Sequence, residues 1–415
     1  MLTVLTVEEA RTQIVSTLGE DVVKETQMIP SRDSLGLVTA EDIIAPENVP
    51  SFSRAVMDGF AVYSGDTFGA TEDLPALLEL KEEIKMGQEP HSGLGRGEAM
   101  GISTGGKLPE GSDCVIMLEY TEILGDQVAV YRPVAPLENT VQEAEDFHRG
   151  DKVLSAGHRI RSQDIGVLAA LGVLEIKVYK PPKVFIFSTG DEIVSPDSTP
   201  APAQIRDVNG YLLSSLVREA GGESNYRGIV PDSREALTEA IEGALKEADM
   251  ILISGGSSVG RRDHTVACME NLPGNGVLFH GVSMRPGKPL IFGVSQGIPV
   301  YGLSGNPVSA MFGFLLFAAP ALRKMQGLAP FKPYSPYVEA VLDTNFSSPG
   351  GREDYVRVSL YAREEATGQD STLYASPVFG GAALLSTVVE GDGYFVIPRD
   401  VEGLARNSRV RVYLF

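Results

Sequence analysis

Three short apolar runs, each ending in a loop of small residues, constrain this chain more than any other feature. Val184–Phe187 runs into Ser188-Thr189-Gly190-Asp191-Glu192, Met250–Ile253 into Ser254-Gly255-Gly256-Ser257-Ser258-Val259-Gly260, and Val300–Leu303 into Ser304-Gly305-Asn306-Pro307. Helical patterns lie between and after them, at Gly210–Ala220, Arg234–Ala248 and Val308–Leu322. Continuous apolar strands alternating with helices predict a parallel sheet covered on both faces, with right-handed crossovers. In such sheets ligands gather at the carboxyl ends of the strands, where these three loops fall.

The flanking sequence follows other rules. Thr6-Val7-Glu8-Glu9 is a capping-box pattern and predicts an amphipathic helix over residues 6–18. From Pro46 to about Val134 the chain has short strand-like runs (Phe60–Tyr63, Cys114–Leu118, Val128–Tyr131) separated by Gly-rich turns. Helical texture returns near Gln163–Leu171. Residues 1–45 and 140–180 are therefore expected to form one linking domain, interrupted by a β-rich insert at 46–139. Pro181-Pro182 opens the α/β domain, 181–328. A second break from Ala329-Pro330 to Pro336 precedes a small β domain, 329–415.

Composition excludes several classes of function. With 35 Lys+Arg against 55 Asp+Glu, a net charge of −20, the chain is unsuited to non-specific binding of nucleic acid or an anionic membrane. Two cysteines without a CxxC pair cannot form a disulfide scaffold, and five histidines without HExxH spacing argue against a conventional zinc enzyme. Pro289–Leu322 carries no charge, but Gly and Pro break it and its final run, Val308–Leu322, has 15 residues. A span needs about 20, so a buried helix is expected. Glu8, Glu9 and Arg11 stand where a signal peptide needs its apolar stretch, so the expected location is the cytoplasm.

Within this frame the residues suggest chemistry, each beside a plainer reading. Gly255, Gly256 and Ser257 could bring backbone N–H groups close to a phosphate, or simply make a tight turn. Asp263 could be a metal ligand or base, or the N-cap of the helix bearing Val266 and Met269. Asp232-Ser233-Arg234-Glu235 fits a capping box, which would give Asp232 a structural role. Asp191-Glu192 is a solvated turn or a pair of carboxylates for a metal or a substrate hydroxyl. Arg285-Pro286-Gly287-Lys288-Pro289 sets two cations in a stiff turn that could aim both at one anion. Asp58-Gly59 and Thr104-Gly105-Gly106-Lys107 are hairpin-like loops of the insert.

Taken in order, the strings SRAVMDGFA (53–61), TGGKLPEGSDCVIMLE (104–119), STGDE (188–192), SGGSSVGRRDHT (254–265), SMRPGKP (283–289), GLSGNPVSA (302–310) and GREDYVR (351–357) resemble the MoeA family. These are the molybdopterin molybdenumtransferases, a family that includes the gephyrin E domain. The resemblance implies a multidomain α/β plus β fold. Its parts are a MogA-like α/β parallel-sheet domain binding molybdopterin, a β-rich inserted domain, an α-containing linking domain and a C-terminal β-barrel-like domain. It implies insertion of molybdate into adenylylated molybdopterin with Mg²⁺-dependent release of AMP. The implied catalytic residues are Asp58, Glu192, Asp263 and Lys288, with Glu192 and Asp263 on the metal. Thr104, Asp232, Gly255, Gly256, Ser257, Arg285, Ser304 and Asn306 are implied to bind substrate.

A cytoplasmic homodimer is implied as well, with the active site shared between the α/β domain of one subunit and the insert of the other, and with substrate delivered by a MogA-like adenylyltransferase. Other readings within this frame are a tungstate-inserting version, a non-catalytic scaffold and a CinA-like nucleotide or pterin-phosphate hydrolase. The chain departs from the family at Ser304, where Pro is usual, and at Arg285, where Lys is usual. Leu137, Val141 and Ala144 stand for Gly, Arg and Gly, and Gly381-Ala382 for Gly-Ser.

Overall fold

The computed structural model describes residues 4–19, 22, 25–255, 264–331, 336–364 and 371–415. The chain forms two units, one of Met1–Gln27, Gly36–Ala40 and Val178–Phe415, the other of Met28–Leu35 and Glu41–Lys177.

In the first unit, the predicted apolar runs are the strands Lys183–Thr189, Met250–Ser254 and Ile298–Leu303 of a six-stranded sheet. The strand Glu223–Val230, Lys183–Thr189, Met250–Ser254 and Ile298–Leu303 are neighbours in that order, and all are parallel. Ile291–Ser295 and Gly274–His280 extend the sheet antiparallel. The antiparallel step follows from the turn Gln296-Gly297, whose φ values of 52° and 82° suit a two-residue hairpin. Both faces are buried, which is why the runs are continuous rather than alternating. Val184, Ile186, Met250 and Leu252 face one apolar cluster with Leu213, Val217 and Phe312, while Phe185, Phe187, Ile251 and Ile253 face another with Leu237 and Ile241.

The helix Val7–Thr17 starts as predicted, with Thr6 and Glu9 forming a reciprocal capping box. The last apolar helix is longer than the 15 residues read from the sequence: it is continuous over 19, Pro307–Met325. Its length and apolarity would suit a membrane span, yet 78% of its most apolar window is buried inside the protein. A π-helical stretch at Phe314–Ala318 precedes Pro320, whose missing N–H and ring disturb the regular ladder there. At its end Lys324 Nζ donates to Val15 O (2.9 Å) and to Leu18 O, tying it to the N-terminal helix.

The C-terminal strands close on themselves. Glu353–Glu364 pairs with Ser371–Pro377, which pairs with Tyr337–Leu342, then Arg409–Leu414, then Gly393–Ile397, which returns to Glu353–Glu364. This five-stranded barrel encloses Leu342, Val358, Ala375, Phe395, Ile397 and Val412. A two-residue strand, Met284–Arg285, adds to its edge beside Glu353 and Asp354, so the cationic turn is fastened to the barrel.

The second unit is built on a six-stranded sheet in the order Cys114–Met117, Gly59–Val62, Glu98–Ile102, Ala76–Ile84, Gln127–Val130, Thr121–Leu124. Apolar clusters cover both of its faces. Two of the positions where the family has glycine, Leu137 and Ala144, adopt φ of 66° and 61°. This region disfavours residues with a Cβ by about 1–2 kcal/mol. Leu137 is exposed, so little burial would be lost on its removal. Leu137→Gly is expected to stabilise the protein by about 0.5–1 kcal/mol once glycine's extra entropy in the unfolded chain is subtracted, read as a higher urea midpoint.

Candidate functional site

One short segment bonds to all four parallel strands, three of them at or near their carboxyl ends. After Thr189 the chain turns at Gly190 (φ 153°), where a Cβ would lie 2.9 Å from Glu192 Oε2. Ile193–Val194 and Ile205–Arg206 then pair in parallel and return the chain to the sheet at Asp207. The buried Asp207 carboxylate accepts from Ser188 Oγ (2.8 Å), Tyr226 OH (2.5 Å) and Gly210 N (3.1 Å). Burial, followed by the neighbouring Asp207, raises the Tyr226 pKa, so this phenol stays a donor. Two residues on, Asn209 Nδ2 donates to Ser254 Oγ (2.7 Å) and Gly305 O (2.8 Å).

The loops themselves require small residues. A Cβ on Gly255 (φ 106°) would lie 2.0 Å from Thr189 O, so only glycine lets these two strand ends touch. Ser304, standing where the family has Pro, accepts from Asn306 N through its Oγ (3.3 Å) and so stiffens the turn by another route. Asn306 is exposed and is the N-cap residue of Pro307–Gly313, without a side-chain cap bond. Glu192 is exposed at the same strand ends. Gly256, Ser257 and Asp263 lie outside the described residues.

The local capping role considered for Asp232 does not hold. Ser233 is the N-cap of Arg234–Ala244 and accepts from Ala236 N (3.2 Å). A serine one residue closer to the helix has the reach for that N–H, and the Asp232 carboxylate is left with one buried oxygen, Oδ1, that has no hydrogen-bond partner among the described residues.

A cavity of about 470 Å³ lies between the sheet domain's cationic turn and the barrel, bordered by Arg285, Lys288, Arg352, Arg357, Ser309 and Ala382 among others. Both cations of the turn border this cavity, and they differ in their partners. Arg285 Nη2 lies 2.5 Å from Asp354 Oδ2, a carboxylate that is 1% exposed, receives Ser348 Oγ at 2.5 Å and has Arg352 Nε 3.5 Å away. Arg357, also buried, donates to Thr387 O (3.0 Å) and Thr387 Oγ1; burial lowers its pKa. Lys288 is exposed and makes no ion pair among the described residues. Gly287 (φ 101°) lets the turn approach Ser309 O, which a Cβ would meet at 3.3 Å.

In the second unit, two sequence motifs meet. Asp58 Oδ1 accepts from Thr104 N (2.7 Å) and Thr104 Oγ1 (3.0 Å). These bonds, the backbone one first, hold the Asp58 pKa below the ordinary carboxylate value and keep it ionised. Gly59 is obligatory beside it, since a Cβ would fall 1.9 Å from Ile116 O.

The individual contributions of Asp207, Asn209, Asp354 and Arg357 were not legible in the sequence. Asp207 and Asn209 sit in Arg206-Asp207-Val208-Asn209-Gly210, which locally reads as an ordinary helix start. For a metal, no group of three His, Cys, Asp or Glu side chains occurs among the described residues. The exposed Glu192 suits Mg²⁺, which keeps several waters and is commonly shared between one or two carboxylates and substrate phosphates.

The fold defines an α/β domain with a largely parallel sheet, and a cavity rich in cations lies between it and a β-barrel. The chain belongs to the MoeA family, and with it to molybdenum cofactor biosynthesis. Residues 5–172 match the MoeA N-terminal region (domain I and II), 185–324 the probable molybdopterin binding domain and 339–415 the MoeA C-terminal region (domain IV). It is 37% identical over 401 residues to a putative molybdopterin biosynthesis protein of Methanocaldococcus jannaschii, covering 94% of this chain and 92% of that one. It is 31% identical to the molybdopterin molybdenumtransferase of Bacillus subtilis, with 94% and 90% covered. Among solved structures, the molybdopterin biosynthesis MoeA protein of Pyrococcus horikoshii OT3 superposes with a TM-score of 0.85 at 32% identity, covering all of both chains.

Proposed function

We propose that this chain is a molybdopterin molybdenumtransferase that inserts molybdate into adenylylated molybdopterin and releases AMP. The observation that carries this reading is Lys288: a cation free of any ion pair among the described residues, in a cavity otherwise lined by arginines already engaged. A protein of net charge −20 needs such a local positive site to hold an oxyanion. Arg285, held by Asp354, contributes field and shape rather than a free donor pair, and Ser304 and Asn306 position the loop beside it.

Gly255, Gly256 and Ser257 offer backbone N–H groups to the substrate phosphates. Glu192 and Asp263 hold Mg²⁺, which when bound neutralises the phosphates of the adenylyl linkage. Asp232, unpaired on one oxygen, orients substrate, while Asp58, kept ionised by Thr104, serves as the catalytic carboxylate of its own cluster. Water attacks the adenylyl phosphorus and the bond to the molybdopterin phosphate breaks, so AMP leaves with the new oxygen and the water's protons pass to solvent. Molybdate exchanges one oxide for the two dithiol sulfurs, and that oxide departs with the two thiol protons as water. The assembly is a cytoplasmic homodimer fed by a MogA-like adenylyltransferase.

The test uses purified protein, adenylylated molybdopterin and Mg²⁺, with molybdate and tungstate titrated separately while AMP is followed. Molybdate-dependent release is the expected result. Preference for tungstate would change the metal and keep the mechanism; binding without release under either oxyanion would leave a scaffold.

A further inference from the structure

Two side chains in one turn reach all four parallel strands, three of them at or near their carboxyl ends. Asp207 holds Tyr226, from Glu223–Val230, and Ser188, from Lys183–Thr189. Asn209 holds Ser254, at the end of Met250–Ser254, and the carbonyl of Gly305, just past Ile298–Leu303, with Ser304 O 3.5 Å away. The two glycine loops that Asn209 joins are in contact: a Cβ on Gly305 would lie 3.7 Å from Gly255 Cα. The backbone bond from Gly255 N to Leu303 O (3.1 Å) already joins the two strand ends, and the Asn209 amide braces the same junction from the side.

That amide is only half used. Asn209 is 6% exposed, and its Oδ1 is buried with no hydrogen-bond partner among the described residues, as is Oγ1 of Thr189, 1% exposed, at the end of the neighbouring strand. Buried acceptors are almost always paired, because a bare one forfeits its hydration without replacement. A site that donates with one end of an amide and leaves the other end open, at the carboxyl edge of a parallel sheet, has the form of a ligand seat rather than of a packed core.

We propose that Asn209 is a positioning residue for the pterin substrate. Its Nδ2 braces the junction of the Gly255 and Gly305 loops, and its Oδ1 accepts from an N–H or O–H donor of the bound ligand. The inference rests on the assignment of this sheet domain to molybdopterin, and extends it to a residue outside the phosphate loops and the cationic cavity. A purely structural Asn209 would affect stability alone; a positioning Asn209 affects ligand affinity in a protein that remains folded.

Molybdopterin without the adenylyl group is the probe, with binding followed at equilibrium, and molybdate binding and thermal unfolding are measured on the same samples. Asn209→Asp keeps the size but turns an oxygen toward the Gly305 and Ser304 carbonyls. It should weaken molybdopterin at least tenfold while molybdate affinity stays within twofold. Ser254→Ala removes one of the bonds and should weaken molybdopterin severalfold, which keeps the idea testable if the first variant does not fold. Wild-type affinity in folded Asn209→Asp or in Ser254→Ala would overturn the proposal, as would equal loss of molybdopterin and molybdate. Should the wild type bind molybdopterin yet release no AMP from its adenylylated form, the reaction assigned above fails while the Asn209 test still stands. Absence of molybdopterin binding in the wild type overturns both.

Discussion

Lys288→Met is expected to slow molybdate-dependent AMP release about 100- to 1000-fold, the range seen when one preorganised donor to a developing or bound oxyanion is removed. The fold should be unaffected. The Lys288 side chain is exposed and no described carboxylate depends on it, so the substitution strands no buried charge. What the fold requires at this position is the backbone: Lys288 O accepts from Val282 N (2.9 Å) and Leu290 N (3.0 Å), and methionine retains both bonds. Initial rates of AMP release across a molybdate titration, beside thermal unfolding, separate the two effects. A variant with near-normal rates at low molybdate would transfer the oxyanion role to the arginines and remove the main support for the proposed reaction.

Asp354→Ala should act in the opposite way, through stability. This carboxylate is 1% exposed and gathers Arg285, Arg352 and Ser348. Removing it leaves guanidinium groups without their counter-charge and a buried serine hydroxyl without its acceptor. Breaking a buried pair from one side typically costs about 3–5 kcal/mol. Arg285 and Arg352 are 42% and 33% exposed, so water recovers part of that and the expected loss is about 3 kcal/mol. Asp354→Asn keeps an acceptor for Ser348 and should lose roughly half as much. Equilibrium urea unfolding, followed by far-UV circular dichroism, reads both. If Asp354→Ala unfolds at the wild-type midpoint, the ion pair is not what anchors the cationic turn to the barrel.

Both predictions rest on partnerships between distant residues, and these are what the sequence conceals. Arg285 and Asp354 are 69 positions apart. In the sequence Arg285 and Lys288 look equivalent, two cations in one stiff turn; only the placement of Glu353–Glu364 beside Met284–Arg285 engages one and leaves the other open. Asp232 illustrates the limit at short range. Its spacing suits a cap as well as a site, and the outcome was decided by which of two adjacent polar side chains reached Ala236 N.

Local signals did carry most of the framework. Continuous apolar runs reported strands buried on both sides, because a strand with a wet face would have to alternate. The Thr6–Glu9 pattern set a helix start, because its bonds span only three residues. Glycines at 59, 105 and 255 marked places where backbones touch or turn to positive φ, while Leu137 and Ala144 take positive φ without being glycine. The motifs, in their order, carried the family. The tertiary structure alone decided the closure of the barrel through Glu353–Glu364 and Gly393–Ile397, the pairing of Arg285 with Asp354, and the convergence of Asp207 and Asn209 on four strands. Periodicity and capping are written within a few residues of one another. A hydrogen bond between side chains tens of positions apart exists only once the sheet has set the distance between them.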